Sequence, residues 1–517
     1  MTSTTNNHSI EVAAPAESNT YATAVRSTSI VGGAQAINML IGLIRTKAVA
    51  VLIGPTGVGL LGIYQTVTSM TLTLAGLGIQ TSGVREIAKD FGTGEEESIG
   101  RTVRTLRRVC WLTGFAGMLL LAGLAPWISE VSFGTRDYTW SIVAVSCTIL
   151  LGNITAGQSA IIQGTRRIGD LARINVIGAL IGTITAVAFY YCLGIEGIVP
   201  ALITMSVISL VISSYFAQKI PIAALLPKWR ETWDQSKSLV RFGLAMVYTG
   251  VISSLVAYFT RVLIIQELDL ASVGIYTAAF TLSGMFVNFV LQAMGADYYP
   301  RLTAEASDPG RMTQIINEQT EIGAILAFPG LLATLAFAPL IISIFYSAEF
   351  AESASMLKWF AIGCIIRVFQ WPLGFALLAL GKGAAFAQLQ SVLHGLHLAF
   401  IWFFLRSFGI TGVSIAFAMM YICGFTIVLC VVKRAIYFKW SANVKRQITW
   451  MLPVAAAVLA LTTWLPKYLH LPLATGVTVV SSAVCVRELC RCVGPNHRIT
   501  KFVQRLPGCA WLLPRAV

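Results

Sequence analysis

The stretch Gly42-Leu-Ile-Arg-Thr-Lys-Ala-Val-Ala-Val-Leu-Ile-Gly-Pro-Thr-Gly-Val-Gly-Leu-Leu-Gly-Ile-Tyr64 joins two apolar runs through a break rich in Gly and Pro. The upstream run reaches from Ser29 to Ile53 and the downstream run from Gly59 to Gly83. At a helical rise of about 1.5 Å per residue, each is long enough to cross about 30 Å of hydrocarbon. The pair therefore reads as a hairpin of membrane helices, and two cations, Arg45 and Lys47, stand inside its first limb.

Runs of this length recur outward from the hairpin. Val109–Val131, Thr139–Ile162, Asn175–Leu193 and Ile198–Ala217 complete a set of six before a polar break at Lys219–Lys237. A second six follow: Phe242–Ile265, Val273–Met294, Ile322–Tyr346, Met356–Leu380, Ala384–Phe404 and Val413–Val432. Ile448–Leu465 and Leu471–Val486 close the series, giving about fourteen spans of an all-α integral membrane protein. Composition agrees: 56% of the 517 residues are hydrophobic, 12% are charged and the mean hydropathy is +0.74. A soluble domain carries about twice that share of charge.

The two sets repeat one another. Gly117-Met-Leu-Leu-Leu-Ala-Gly-Leu-Ala-Pro126 matches Gly330-Leu-Leu-Ala-Thr-Leu-Ala-Phe-Ala-Pro339 at a lag of 213, and Gly194-Ile-Glu-Gly-Ile198 matches Gly409-Ile-Thr-Gly-Val413 at 215. Arg45 maps to Arg261 at 216, each ahead of a Val-Gly pair, Val58-Gly59 and Val273-Gly274. An even number of helices per repeat keeps both halves in one orientation about an axis along the membrane normal. The expected organisation is a disordered cytoplasmic tail at 1–22, a six-helix lobe at 23–218 and a cytoplasmic linker at 219–237. A second lobe at 238–433 follows, then two further helices with a basic cytoplasmic tail at 434–517. A central cavity is expected between the lobes, with the first and seventh helices facing each other across it.

Charge orients the bundle. Of the 37 Lys and Arg, four lie deep within spans and four, Arg136, Lys358 at the very start of its span, Arg406 and Lys467, would face outward. The remaining 29 fall on the other side, so both termini are expected in the cytoplasm. The same asymmetry accounts for the net charge of +14 without a nucleic-acid partner, through topology and attraction to anionic lipid headgroups.

The four cations at membrane depth are Arg45, Lys47, Arg261 and Arg367, with no Asp or Glu at comparable depth. Each costs roughly 3 kcal/mol at the bilayer centre unless it faces a polar cavity or a partner. Their pattern suits an anionic substrate, because guanidinium groups grip phosphate oxygens in forked pairs. Arg367 lies in mid-span, too deep to snorkel, and is the leading candidate. Arg261 lies close to Glu267 and Asp269, where a snorkelling ion pair competes with a ligand's role. Lys47 is rotated about 200° from Arg45 around the helix. His394 and His397, at i and i+3, are candidates for a proton relay or coupling site, with plain interhelical hydrogen bonding as the alternative. Gln370, Gln388, Gln390 and Asn288 could present amides to sugar hydroxyls.

The run Gly42–Tyr64, the basic second loop and Val273-Gly-Ile-Tyr276 resemble the multidrug/oligosaccharidyl-lipid/polysaccharide exporter superfamily, and within it the Wzx-type polysaccharide flippases. The resemblance covers about Ser29–Val432. It implies a flippase carrying an undecaprenyl-diphosphate-linked oligosaccharide, such as an O-antigen or enterobacterial common antigen unit, across the bacterial inner membrane by alternating access. A glycan polymerase and a chain-length regulator would be its neighbours. Related lipid II flippases are described with a cationic cavity between two six-helix lobes and a first-helix arginine that Arg45 resembles.

Two other readings stand beside it. A cation-coupled drug exporter of the same superfamily would carry acidic residues deep in its first half, whereas Glu86, Asp90 and Asp297 lie at span ends. A membrane glycan polymerase or ligase would need a long outer loop, and the longest one expected here is about nine residues. No cofactor is expected. No metal is either, since Cys485, Cys490, Cys492 and Cys509 with His497 lack zinc-site spacing.

Overall fold

The computed structural model describes residues 17–93, 96–220, 229–493 and 500. Among these the chain forms fifteen helices: α1 Glu17–Gly76, α2 Ile79–Thr93, α3 Glu96–Phe133, α4 Thr139–Gly164, α5 Ile168–Leu193, α6 Ile198–Gln218, α7 Trp229–Glu267, α8 Leu270–Ala304, α9 Pro309–Ala336, α10 Ala338–Phe345, α11 Ser353–Ala379, α12 Gly383–Phe408, α13 Ile410–Ile436, α14 Ala442–Trp464 and α15 Lys467–Val493. Twelve stretches are long and apolar enough to span a bilayer, and two of them are double. Helix α1 breaks at Gly54, and a short 3-10 turn, Gly194–Gly197, separates α5 from α6. The protein is thus a multi-pass membrane protein with the expected fourteen crossings among its described residues.

Gly54 makes the opening hairpin. Its φ of 60° and ψ of −172° are open only to glycine, and Pro55 then starts the second limb with a preset φ and no amide hydrogen to leave unpaired. The limb beginning at Pro55 meets α8 in a contact that occurs twice. A Cβ on Gly59 would run into the Leu270 carbonyl oxygen, and a Cβ on Gly274 into that of Pro55. Leu270 and Gly274 are the repeat counterparts of Pro55 and Gly59 at a lag of 215. The two helix starts therefore pack backbone to backbone about a local twofold, which requires glycine on both sides. A second pair obeys the same lag: Gly197 abuts the Phe189 carbonyl, and Gly412 abuts that of Phe404. Gly194 and Gly409 precede them with φ of 57° and 59°. Two parallel copies of one six-helix design are thereby visible in backbone geometry.

One large core cluster runs through both sets, from Val49 and Tyr64 to Phe360 and Phe417. Two satellites lie at the end opposite Gly54. One holds Ile87, Leu106, Ile161 and Phe216; the other holds Tyr298, Met312, Val432 and Phe438. The first satellite corrects the expectation of a basic loop after the second span. The chain turns at Leu77 and Gly78, both at positive φ, and then forms α2 and the early turns of α3. Ile87, Val103 and Leu106 recur at helical spacing and are buried against α4, so the Arg and Lys residues ride on an amphipathic pair of helices.

Other boundaries shift as well. Residues 17–22 of the expected tail belong to α1, and the expected linker is helical from Trp229, while residues 1–16 and 221–228 lie outside the described residues. Helices α14 and α15 are part of the core. Val444, Met451 and Val458 are buried, Trp450 meets Phe328 edge to face at 5.3 Å, and the Asn317 side chain joins Lys439 to Ser441 through both its atoms. His497 and Cys509 lie outside the described residues. Trp127, Trp140, Trp402 and Trp464 are exposed, as a membrane-interface belt requires.

Candidate substrate-binding site

Five helices of the second set, α7, α8, α11, α12 and α13, surround a cavity of about 450 Å³. Each contributes side chains at helical spacing. Helix α7 offers Ser253, Val256, Ala257 and Thr260, one stripe at i, i+3, i+4 and i+7. Helix α12 offers Gln390, His394 and His397, α11 offers Arg367, Gln370 and Trp371, and α13 offers Phe417 and Tyr421. No Asp or Glu among the described residues belongs to the lining.

Arg367 projects from the middle of α11, with Cys364 and Tyr421 as electrostatic neighbours. No described residue accepts a hydrogen bond from its guanidinium or pairs with it. The histidines are partly engaged. His394 Nδ1 lies 2.8 Å from the Gln390 carbonyl oxygen and Nε2 lies 3.1 Å from Ser253 Oγ. A carbonyl only accepts, so Nδ1 carries the hydrogen and the neutral ring takes the serine proton at Nε2. Two further polar atoms of the lining, His397 Nε2 and Gln370 Oε1, are buried without a partner among the described residues. Such atoms cost about 1–3 kcal/mol each unless a ligand or water satisfies them. Aromatic faces from Tyr276, Phe280, Trp371, Phe375 and Phe417 fill the rest of the wall. Among the described residues this is a concave, mostly apolar chamber with one unneutralised cation and a few neutral donors and acceptors.

The expected site residues do not all converge there. Arg261 is 9% exposed; Nη1 donates to the Ala257 carbonyl oxygen of its own helix at 2.9 Å, and the guanidinium stacks 5.4 Å from the centre of the Tyr276 ring. It therefore sits behind the cavity wall. The snorkelling pair does not form, because Glu267 binds Arg406 at 2.6 Å and Asp269 caps α8 through the Ser272 amide. Arg45 is half-buried against α5, near Tyr190, and is outside the lining. Lys47 is spent on protein: Nζ donates to the Ser343 and Tyr346 carbonyl oxygens at the end of α10. The expected facing of Arg45 and Arg261 across a gap is thus replaced at this end by the glycine contact between α1 and α8. Gln388 and Asn288 are exposed and outside the lining; Gln388 points away because it is two residues, about 200°, from Gln390. Ser253, Thr260, Trp371 and Tyr421 were not singled out from sequence. The hydroxyl stripe on α7 at helical spacing is the signal that marks the first two.

The fold and chamber define a class: an all-α membrane protein of two parallel six-helix repeats with a cationic cavity inside the bundle. The chain belongs to the polysaccharide biosynthesis protein family, whose profile matches residues 48–355. Among curated relatives, it is 23% identical over 404 residues to the lipid III flippase of Escherichia coli (strain K12), covering 75% of this chain and 92% of that one. It is 22% identical over 377 residues to a putative O-antigen transporter of Shigella flexneri, covering 71% and 87%. Among solved structures, the lipid II flippase MurJ in an inward closed conformation superposes with a TM-score of 0.67 at 12% identity, covering 89% of this chain and 98% of that one. An inward-facing multidrug resistance MATE family transporter of the MOP superfamily gives 0.63 at 16% identity, covering 77% and 94%. The exporter-superfamily resemblance read from Gly42–Tyr64 is borne out. The family match ends before Arg367 and α12, so the cavity chemistry stands on the structure alone.

Proposed function

We propose that the protein is a flippase that moves an undecaprenyl-diphosphate-linked oligosaccharide from the cytoplasmic to the periplasmic leaflet of the bacterial inner membrane. The observation that carries this reading is Arg367: a cation at membrane depth, facing a chamber that no carboxylate among the described residues lines. A diphosphate cannot cross hydrocarbon bare, and a guanidinium offers it forked, permanently charged hydrogen bonds. Gln370, Gln390 and Ser253 are the neutral groups placed to meet sugar hydroxyls. The relatives named as flippase and transporter support a transporter rather than an enzyme.

The twofold supports alternating access as the mode of transport. The Gly54 end is held shut by Gly59 on Leu270, Gly274 on Pro55 and Lys47 on the end of α10. The Lys/Arg asymmetry supports a periplasmic position for that end and cytoplasmic termini. The headgroup enters from the cytoplasmic side while its lipid tail stays in the bilayer, and release requires these contacts to part. A glycan polymerase and its chain-length regulator would receive the product. The test is a vesicle assay with purified protein and a labelled lipid-linked sugar. Headgroup exposure on the far leaflet without glycan elongation supports the reading, and its absence together with efflux of a cationic drug overturns it.

A further inference from the structure

A lipid-linked diphosphate carries two negative charges, and Arg367 is the single fixed cation among the described lining residues. The other lining groups able to gain a positive charge near neutral pH are His394 and His397. They face the chamber from one side of α12. His394 Nε2, opposite Ser253 Oγ at 3.1 Å, serves as an acceptor in the neutral ring and as a donor to the same oxygen once protonated, so the contact survives either state. His397 Nε2 is buried and has no partner among the described residues. Among the described residues, the titratable or charged groups that face the pair from the packed helices are Arg367 of α11, Tyr421 of α13, Tyr276 of α8 and Tyr248 of α7, whose hydroxyl lies 2.8 Å from Ser391 Oγ one turn before His394, and α7 adds the hydroxyls of Ser253 and Thr260. Among the described lining residues no carboxylate faces the pair, so a bound anion is the partner that would hold a proton there.

Resting on the flippase reading, we propose that binding of the diphosphate headgroup draws a proton onto the His394–His397 pair, so that the chamber meets two negative charges with two positive ones. The two equilibria are then linked: the anion favours the proton, and the proton favours the anion by the same factor. Where the free pair is neutral, each unit fall in pH tightens binding by up to about tenfold. The histidines thereby set when the headgroup is held and when it is let go, and Arg367 sets whether it is held at all.

Titration calorimetry on the full-length chain in detergent tests this, with farnesyl-diphosphoryl-N-acetylglucosamine as the probe. Measured at one pH in HEPES and in Tris, whose ionisation heats differ, binding is expected to take up about one proton per ligand. Affinity is expected to fall about tenfold from pH 7 to pH 8. The H394Q/H397Q variant is expected to bind with no proton uptake and little pH dependence. Binding whose heat is the same in both buffers overturns the proton proposal and leaves the flippase reading standing. Uptake that persists undiminished in the double variant overturns the assignment to this pair. No binding between pH 6 and pH 8 overturns both readings. The two-buffer comparison uses the native chain, so it does not depend on a variant folding.

Discussion

At the scale of single residues, what lies within reach of a buried cation decides its role. Lys47 reaches two free carbonyls at a helix end and is satisfied there. Arg261 finds a carbonyl of its own helix and an aromatic ring. Arg367 finds an aromatic, amide-lined chamber with no carboxylate among the described lining residues. R367A is therefore expected to lower headgroup flipping at least about 100-fold with the protein still folded, because charged hydrogen bonds contribute about 1.5–3 kcal/mol each. R367K keeps the charge but loses the planar fork, and a loss of about tenfold is expected. Both are read as initial flipping rates per folded molecule. Arg367 was legible in sequence because depth in a span is a count of residues. The fates of Lys47 and Arg261 were not, since they depend on carbonyls 296 and four residues away.

At the scale of helices, the closed end rests on close backbone approach. A methyl group on Gly274 meets the Pro55 carbonyl, and no rotamer can relieve a clash with backbone. G274A is expected to cost about 1–3 kcal/mol and to lower the melting temperature measured in detergent. If the contact must part during transport, G274A also exposes this end: a cysteine placed at Ser347 is expected to react faster with a maleimide than in the parent. K47M should do the same by releasing the end of α10, and unchanged labelling in both variants would remove the closed end as a gate. The glycine pairs were legible as a lag of 215 residues, but their meeting face to face was not. Helix α2 was missed because Arg85 and Lys89 dominate a hydropathy average, whereas the buried positions Ile79 and Ile87 are few and show only as spacing.

At the scale of the molecule, the twofold explains why a repeat in the chain becomes a reciprocal pair of helix-start contacts in the fold. It does not make the halves alike, for the 450 Å³ chamber is built from the second set alone. Sequence symmetry pointed to a site between the halves, and what it could not convey is which helix faces enclose volume. The last two helices complete the core of the second half through Asn317, Trp450 and Val458, and Lys358 Nζ donates to the Thr462 carbonyl at 2.8 Å. A chain ending at Tyr437 is accordingly expected to be lost from the membrane fraction or to aggregate on gel filtration in detergent. A monodisperse truncated protein would show that α14 and α15 are accessory.

The central claim is that Arg367 holds an anionic lipid headgroup while it crosses. The most direct measurement reconstitutes the native chain and R367A in proteoliposomes at equal density and follows a fluorescent undecaprenyl-diphosphate-linked sugar to the far leaflet. Rapid transfer by the native chain and loss to the protein-free rate in R367A is the predicted result. Equal transfer by both proteins, or none by the native chain, would contradict it.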